Sequence, residues 1–538
     1  AQRYQDWVGG ITQPSYGDTI AGLGTVLLIV ELTRRCTGWG LTLVLLAALG
    51  YTAFGQHISG TFHHDPLSLE YFLYMQTVGV DGIFGTPLEV AATYAFLFVL
   101  FGSFYQIAGG GQLFFDIAAA LTRGMTGGPA KACVVSSGLY GSISGSPVAD
   151  VATTGPINIP IMVRTGIPAT RSAAIEAAAS SGGALLPPVM GAVAFMMADY
   201  TGTPYHRIME AALIPALLYY VSVFLLVHLE AGRDGQSAIP DSHVVGLTAA
   251  LRRGWVHLLS IAALLYFLID GYTPTYVAAG ATVAVVLLSF LRSESAISPR
   301  RFIAACKETV VRVAPLTAAV AAAGVIIGCI ELTGLAGKFT ALLFTLSGGQ
   351  LVPSLVVAAA VIVLLGMGMP TPGVYVMGVA LIAPVLIGVF ELPVLPVHFF
   401  MLYIACMSAI TPPVAVACFT AGAIADANPF KVAPYACKLA YAGFILPFFL
   451  LFNPGILMRG SLPIILLHTA LAVVLVVAVA MALHGWAGRR RLLWPVRLLF
   501  GVVAVGVIYP DWRVQASAAA AFIILGSAVR FGCSTDGL

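Results

Sequence analysis

A double proline interrupts an apolar stretch twice in this chain, in matching surroundings. Gly182-Gly183-Ala184-Leu185-Leu186-Pro187-Pro188-Val189-Met190 recurs in chemical outline as Met407-Ser408-Ala409-Ile410-Thr411-Pro412-Pro413-Val414-Ala415. Sixteen residues after each pair comes Pro-aromatic, Pro204-Tyr205 and then Pro429-Phe430. Upstream of each lies another small-residue break, Ser144-Gly145-Ser146-Pro147 and Gly366-Met367-Gly368-Met369-Pro370-Thr371-Pro372. Proline removes an amide donor and disrupts a helix. In hydrocarbon an unpaired backbone group is costly, so irregular backbone survives only inside protein or against a wet cavity. Breaks at corresponding places in two halves are the pattern of a secondary transporter's binding site.

The lipid setting follows from charge. Only 9% of the residues are charged, against about 25% in soluble domains. Apolar runs approaching the ~20 residues that cross a bilayer core recur at Thr19–Glu31, Leu41–Phe54, Leu88–Phe104, Leu213–His228, Tyr276–Leu291, Ala314–Ile330, Ile464–Leu483, Leu498–Ile508 and Ala516–Val529. The fold class is an all-α polytopic membrane protein. Basic residues gather at Arg34-Arg35, Arg252-Arg253, Arg292, Arg300-Arg301 and Arg489-Arg490-Arg491, which the positive-inside rule turns toward the cytoplasm. The polar start Ala1–Asp18 then lies outside. It opens on Ala without a signal peptide's pattern and reads as a truncated start. The net charge of +3, with no basic stripe, argues against nucleic acid as a partner.

The breaks divide the chain into five parts. Residues 1–82 hold two spans, a His-bearing outer loop Gly55–Pro66 and an amphipathic stretch Leu67–Val80. Residues 83–235 are the first repeat, 236–307 a linker that starts in the polar segment Glu230–His243 and carries two spans and a cationic loop, 308–458 the second repeat, and 459–538 further spans. Re-entrant hairpins are expected to turn at Ser144–Pro147 and Gly368–Pro372, with the following helices unwound at Ala184–Pro188 and Ala409–Pro413. Freed carbonyls and hydroxyls there can coordinate a cation, and half-helix N-termini favour an anion.

Gly141–Asp150 packs three serines and a carboxylate around a bend. It reads as an ion- or substrate-binding tip, the bland alternative being a small-residue helix contact. Asp150 reads equally as a cation or proton carrier and as a vestibule carboxylate. Glu176, Asp199, Glu331, Lys338 and Asp426 read as solvated or loop-end groups, and Lys131 and Arg171 as snorkelling anchors. His57, His63 and His64 read as a solvated loop. Gly324 and Gly328 form a G-x-x-x-G, a weak packing signal. The eight cysteines, Cys36, Cys133, Cys306, Cys329, Cys406, Cys418, Cys437 and Cys533, show no metal spacing and read as small apolar thiols. No Walker-type phosphate loop and no hydrolase or dinucleotide motif stands in a usable context, so enzymatic work is not expected.

Gly127-Gly128-Pro129-Ala130-Lys131, Gly141–Asp150, Glu176–Met190, Gly366–Pro370 and Ser408–Val414 resemble, in order and spacing, the fused membrane subunit of tripartite ATP-independent periplasmic (TRAP) transporters of the TAXI class. The resemblance covers about residues 20–460. It implies scaffold helices around an elevator-type transport domain of two inverted repeats, each with a re-entrant helical hairpin. It also implies a TAXI-type periplasmic substrate-binding protein, a bacterial inner-membrane location and uptake of a small organic anion, a carboxylate or dicarboxylate, driven by a Na+ or H+ gradient without a cofactor.

Carried over residue by residue, the first tip is Ser144, Gly145, Ser146 and Pro147 with Asp150 beside it. Its partner break is Ser181, Gly182, Gly183, Pro187 and Pro188. The second-repeat counterparts are Gly366, Gly368, Pro370 and Thr371, with Ser408, Thr411, Pro412 and Pro413. A sodium ion would find Ser144, Gly145, Gly183, Gly366 and Thr411. One departure bears on the ion: where the class reads Gly-Ser-Ala-Val-Ala-Asn, this chain reads Gly145-Ser146-Pro147-Val148-Ala149-Asp150. An acid in place of an amide adds a titratable group and gives weight to proton coupling. The nearest alternative is an ion-coupled anion transporter that works without a binding protein.

Overall fold

The computed structural model describes residues 15–79, 81–236, 245–487 and 490–531. Part of the polar start, Val80, half of the polar segment Glu230–His243, Arg489 and Cys533 lie outside the described residues. Among the described residues eight helices are long and apolar enough to cross a membrane, or nine if the pair Pro429–Leu439 and Tyr441–Phe452, bent by 40°, is one span. The protein is an all-α polytopic membrane protein.

The chain enters through α1 (Tyr16–Cys36), α2 (Trp39–Phe54) and the short α3 (Leu69–Thr77). Ser15 caps α1, with Asp18 returning the bond in a capping box, which satisfies amides that a helix start leaves free. Then come α4 (Thr86–Ala108), α5 (Gly110–Thr122), α6 (Gly128–Ser144), α7 (Pro147–Arg164), α8 (Ala169–Ser181), α9 (Ala192–Thr201) and α10 (Tyr205–Asp234). The linker contributes α11 (Leu247–Ile269) and α12 (Pro274–Ser289). The second series is α13 (Pro299–Thr333), α14 (Leu335–Leu346), α15 (Leu351–Leu365), α16 (Thr371–Val389), α17 (Val394–Ser408), α18 (Val416–Ala425), α19 (Pro429–Leu439) and α20 (Tyr441–Phe452). The chain finishes with α21 (Leu462–His484), α22 (Trp494–Ile508) and α23 (Trp512–Phe531).

The two series correspond at a fixed offset. Pro412 follows Pro187 by 225 positions (412 − 187), and the same difference separates Gly109 from Gly334, Pro168 from Pro393 and Pro204 from Pro429. Gly109 (φ +109°) and Gly334 (φ +62°) each turn a long helix into a shorter one. Pro168 and Pro393 each precede the first residue of α8 and α17. Pro187-Pro188 and Pro412-Pro413 are both joined by cis peptide bonds. Met190 (φ +58°) and Ala415 (φ +39°) both take the left-handed conformation that non-glycine residues rarely adopt. The resemblance between halves is therefore one of backbone geometry as well as composition.

Packing joins the halves. Helix α13 lies against α1, α2, α3, α4 and α16. The G-x-x-x-G on α13 is a close-approach surface: a Cβ on Gly324 would stand 2.5 Å from the Gly82 carbonyl oxygen, and one on Gly328 2.5 Å from Gln76 Nε2. Gln76 donates to the Val325 carbonyl at 3.1 Å, across the gap that the glycines leave. Helix α8 is wrapped by α6, α7, α18 and α19, so an element of the first repeat sits inside the second. The C-terminal helices pack on α10 and α20.

Two expected surface groups are buried instead. His64 is held between the Asp65 carbonyl (Nδ1, 2.7 Å) and the Tyr51 carbonyl (Nε2, 2.9 Å) and closes the outer loop from within, while His57 and His63 stay exposed. Lys131 does not snorkel: it is buried, its Nζ 2.9 Å from His228 Nδ1 and over the Phe224 ring. Arg171 is paired with Asp234 at the end of α10. In both, a polar partner within reach replaces the water that the side chain would otherwise seek.

Candidate functional site

Helix α6 ends at Ser144, Gly145 turns the chain with φ +64°, Ser146 is extended, and α7 starts at Pro147. The chain after the first double proline returns to this tip. Val189 and Met190 donate their amides to the Ser142 carbonyl at 2.9 and 3.3 Å. The Tyr205 hydroxyl lies 2.8 Å from the Pro188 carbonyl and 2.6 Å from that of Val189, one donor serving two acceptors freed by the break. Gly182 leaves α8 beneath the Tyr219 and Tyr220 rings, whose hydroxyls donate to the Ala178 and Ala179 carbonyls, and Gly183 after it lies against Gly141.

Asp150 is completely buried at the junction of tip and break. One carboxylate oxygen accepts from the Ser144 hydroxyl. The other, Oδ2, has no partner. It faces two glycines, and a Cβ on Gly141 or Gly183 would stand 2.7 or 2.9 Å from it. Among the described residues no basic side chain forms an ion pair with Asp150. Leaving a charge this way at bilayer depth costs at least about 2.5–3.5 kcal/mol. An orphaned oxygen beside a hydroxyl fits a small hard cation or a proton, because oxygen donors suit such ions.

Below Asp150 runs a polar seam. Asp150, Thr154 and Asn158 lie along one face of α7 at i, i+4 and i+8, opposite Cys133, Ser137 and Gly141 on α6, which share that spacing. Glu176 on α8 closes the seam. Its carboxylate accepts from Asn158 Nδ2 (2.9 Å), Cys133 Sγ (3.0 Å), Ser137 Oγ (3.2 Å), Ser180 Oγ (3.2 Å) and the Thr154 hydroxyl. The expectation of a solvated Glu176 is therefore corrected: it is fully buried, because five donors from three helices take the place of water. Asp199, Glu331 and Asp426 are exposed. Lys338 ties the outer loop to α13 through the His63 and Thr333 carbonyls at 2.6 and 2.9 Å.

The second repeat forms a smaller junction. A Cβ on Gly366, just after α15, would stand 2.3 Å from Ser408 Cβ and Oγ at the end of α17. Gly368 (φ +83°) approaches Gly40 of α2 and the Val414 side chain. Pro370 caps α16, and Thr371 opens it, buried. After Ser408 the chain unwinds through Thr411, Pro412 and Pro413, and the Ala417 amide donates back to the Ala409 carbonyl at 3.0 Å. Pro412 and Pro413 are exposed.

Of the anticipated residues, Ser144, Gly145, Asp150 and Gly183 are gathered at the first junction and Gly366 with Ser408 at the second. The single turn Gly183–Leu185 packs on α17, which makes the junctions neighbours. The Ser181 and Thr411 hydroxyls are bonded to their own helices, at Ala177 (2.8 Å) and Met407 (2.8 Å). Thr154, Asn158 and Gly191 were not anticipated, and for Thr154 and Asn158 the i, i+4 spacing from Asp150 on α7 was the available signal.

Residues 25–465 match the family described as "Tripartite ATP-independent periplasmic transporter, DctM component". The C4-dicarboxylate TRAP transporter large permease protein DctM of Pseudomonas aeruginosa is 32% identical over 187 residues, 35% of this chain and 43% of its own. A putative TRAP transporter large permease protein of Haemophilus influenzae is 28% identical over 325 residues, 59% of this chain and 74% of its own. The sialic acid TRAP transporter large permease protein SiaM of Vibrio cholerae is 24% identical over 214 residues, 40% of this chain and 49% of its own. The chain spans about half the length of most of the curated relatives it matches. With the family match covering both broken repeats and the helices between them, the chain belongs to the DctM component family of tripartite ATP-independent periplasmic transporters.

Proposed function

We propose that this chain is the permease of a binding-protein-dependent, cation-coupled uptake system for a small organic anion, in the bacterial inner membrane. Family membership carries a transport role rather than an enzymatic one. Relatives named for C4-dicarboxylates and sialic acid favour a carboxylate cargo. The observation that carries coupling is the partnerless Asp150 oxygen at the meeting of hairpin tip and broken helix. A cation or proton arriving there neutralises the buried charge and admits an anion nearby. The repeats α6–α9 and α15–α18 would then move as an elevator past scaffold helices, and a TAXI-type binding protein would deliver the cargo.

The test is uptake of labelled dicarboxylates into proteoliposomes with purified candidate binding protein, under an inward sodium or an inward proton gradient imposed separately. Uptake that needs both the binding protein and one gradient is the expected result, and the effective gradient names the ion. Accumulation without the binding protein assigns the stand-alone transporter instead.

A further inference from the structure

The α6–α7 hairpin and α8 hold two fully buried carboxylates with different surroundings. Asp150 has one donor and an empty-handed oxygen. Glu176 meets a thiol, an amide and three hydroxyls, drawn from α6, α7 and its own helix. Hydrogen bonds donated to a carboxylate favour its charged form, and both Glu176 oxygens are engaged.

The elements packed on α8 do not neutralise it. Their titratable groups include Lys131, Cys133 and Tyr140 on α6, Asp150 and Arg164 on α7, Tyr219 and Tyr220 on α10, Cys418 on α18, and Lys431, Tyr435, Cys437 and Lys438 on α19. The buried Lys131 is spent on His228, and among the described residues no basic side chain forms an ion pair with Glu176. The Tyr219 and Tyr220 hydroxyls are spent on backbone carbonyls, Tyr435 and Lys438 bond Glu230, and Arg171 on α8 itself pairs with Asp234. Thr154 connects the two acids: its hydroxyl contacts Glu176 and lies 2.8 Å from the Asp150 carbonyl, one turn below the orphaned oxygen.

We propose that Glu176 is the fixed counter-charge of the coupling site, remaining ionised through the transport cycle and holding the exchangeable cation or proton at Asp150, so that it is a positioning residue rather than an ion carrier. The assignment rests on the transport reading above and adds a division of labour between the acids. Removing the charge weakens ion binding without changing how many ions accompany each cargo molecule.

The experiment is proteoliposome uptake by wild type, Glu176→Gln and Glu176→Asp, titrating the coupling ion and measuring the ion-to-cargo ratio. Expected is about a tenfold or larger rise in the half-saturating ion concentration for Glu176→Gln, an unchanged ratio, and recovery to within about threefold of wild type in Glu176→Asp. A ratio lowered by one ion makes Glu176 a carrier and overturns the assignment. A fall in maximal rate at unchanged ion dependence makes it structural and also overturns it. If Glu176→Gln does not fold, Glu176→Asp decides alone: ion dependence shifted about tenfold overturns the charge argument, and dependence within threefold upholds it. A wild-type protein with no gradient-driven uptake overturns the transport reading, and this assignment with it.

Discussion

Gly145 and Gly191 meet backbone to backbone, and a Cβ built on Gly145 would stand 2.1 Å from the Gly191 Cα. Both residues also have positive φ, +64° and +77°, so an alanine at either is strained by conformation as well as blocked by space. The contact fastens the hairpin tip to the chain that follows the first double proline. Gly145→Ala and Gly191→Ala should each abolish uptake or reduce it more than tenfold, with lowered thermal stability of the purified protein. Gly202, with φ +59° but nothing within 4 Å of an added Cβ, is the control. Gly202→Ala should cost stability through conformation alone and retain most transport. Equal losses at all three positions would remove the special role of the tip contact.

Asp150→Asn separates charge from shape. The amide keeps the volume between Gly141 and Gly183 and can still bond Ser144, but it carries neither a titratable proton nor the negative charge. Accumulation under the driving gradient should fall at least tenfold, while exchange of cargo across the membrane without a gradient persists. If pH-driven uptake survives in Asp150→Asn, proton coupling through this residue is excluded.

These residues were unevenly legible in the chain. The double prolines at 187–188 and 412–413 announced themselves because few residue types break a helix in lipid, and two copies at one offset are hard to produce by chance. The resemblance of Gly141–Asp150 to a known tip placed Asp150 correctly beside Ser144. Glu176 was misjudged, since a lone acid in an alanine-rich helix looks solvated until its donors on two other helices are seen. Each donor is an ordinary serine, threonine, cysteine or asparagine in sequence. Only α6 and α7 folding back as a hairpin brings them to one carboxylate. Lys131 and His64 escaped for the same reason: their partners, His228 and the Tyr51 carbonyl, are distant in sequence.

Tyr205→Phe tests the support of the first break. The lost hydroxyl leaves the Pro188 and Val189 carbonyls without this donor, and an unsatisfied buried polar group costs about 1–3 kcal/mol. The ring remains stacked on Phe195, centroids 4.4 Å apart, so packing is retained. Thermal melting of the purified protein should shift down by a few degrees, with uptake reduced severalfold rather than lost. An unchanged melting temperature would mean that water satisfies those carbonyls and that the break is wetter than its burial suggests.

Gly366 and Ser408 allow a test by exchange. Gly366→Ala places a methyl 2.3 Å from both Ser408 Cβ and Oγ, so α15 and α17 must part at the second junction. Ser408→Gly removes both of the clashing atoms, and the hydrogen bond it sacrifices, to the Ala405 carbonyl at 2.7 Å, lies within its own helix. The single variant Gly366→Ala should lose most uptake. The double variant Gly366→Ala/Ser408→Gly should recover a substantial part of it, and the excess over additivity is the coupling between residues in contact. If Ser408 instead supplies its hydroxyl to ion or cargo, the double variant stays inactive although its melting temperature recovers. Measuring stability beside uptake therefore separates a packing contact from a binding one at the second break.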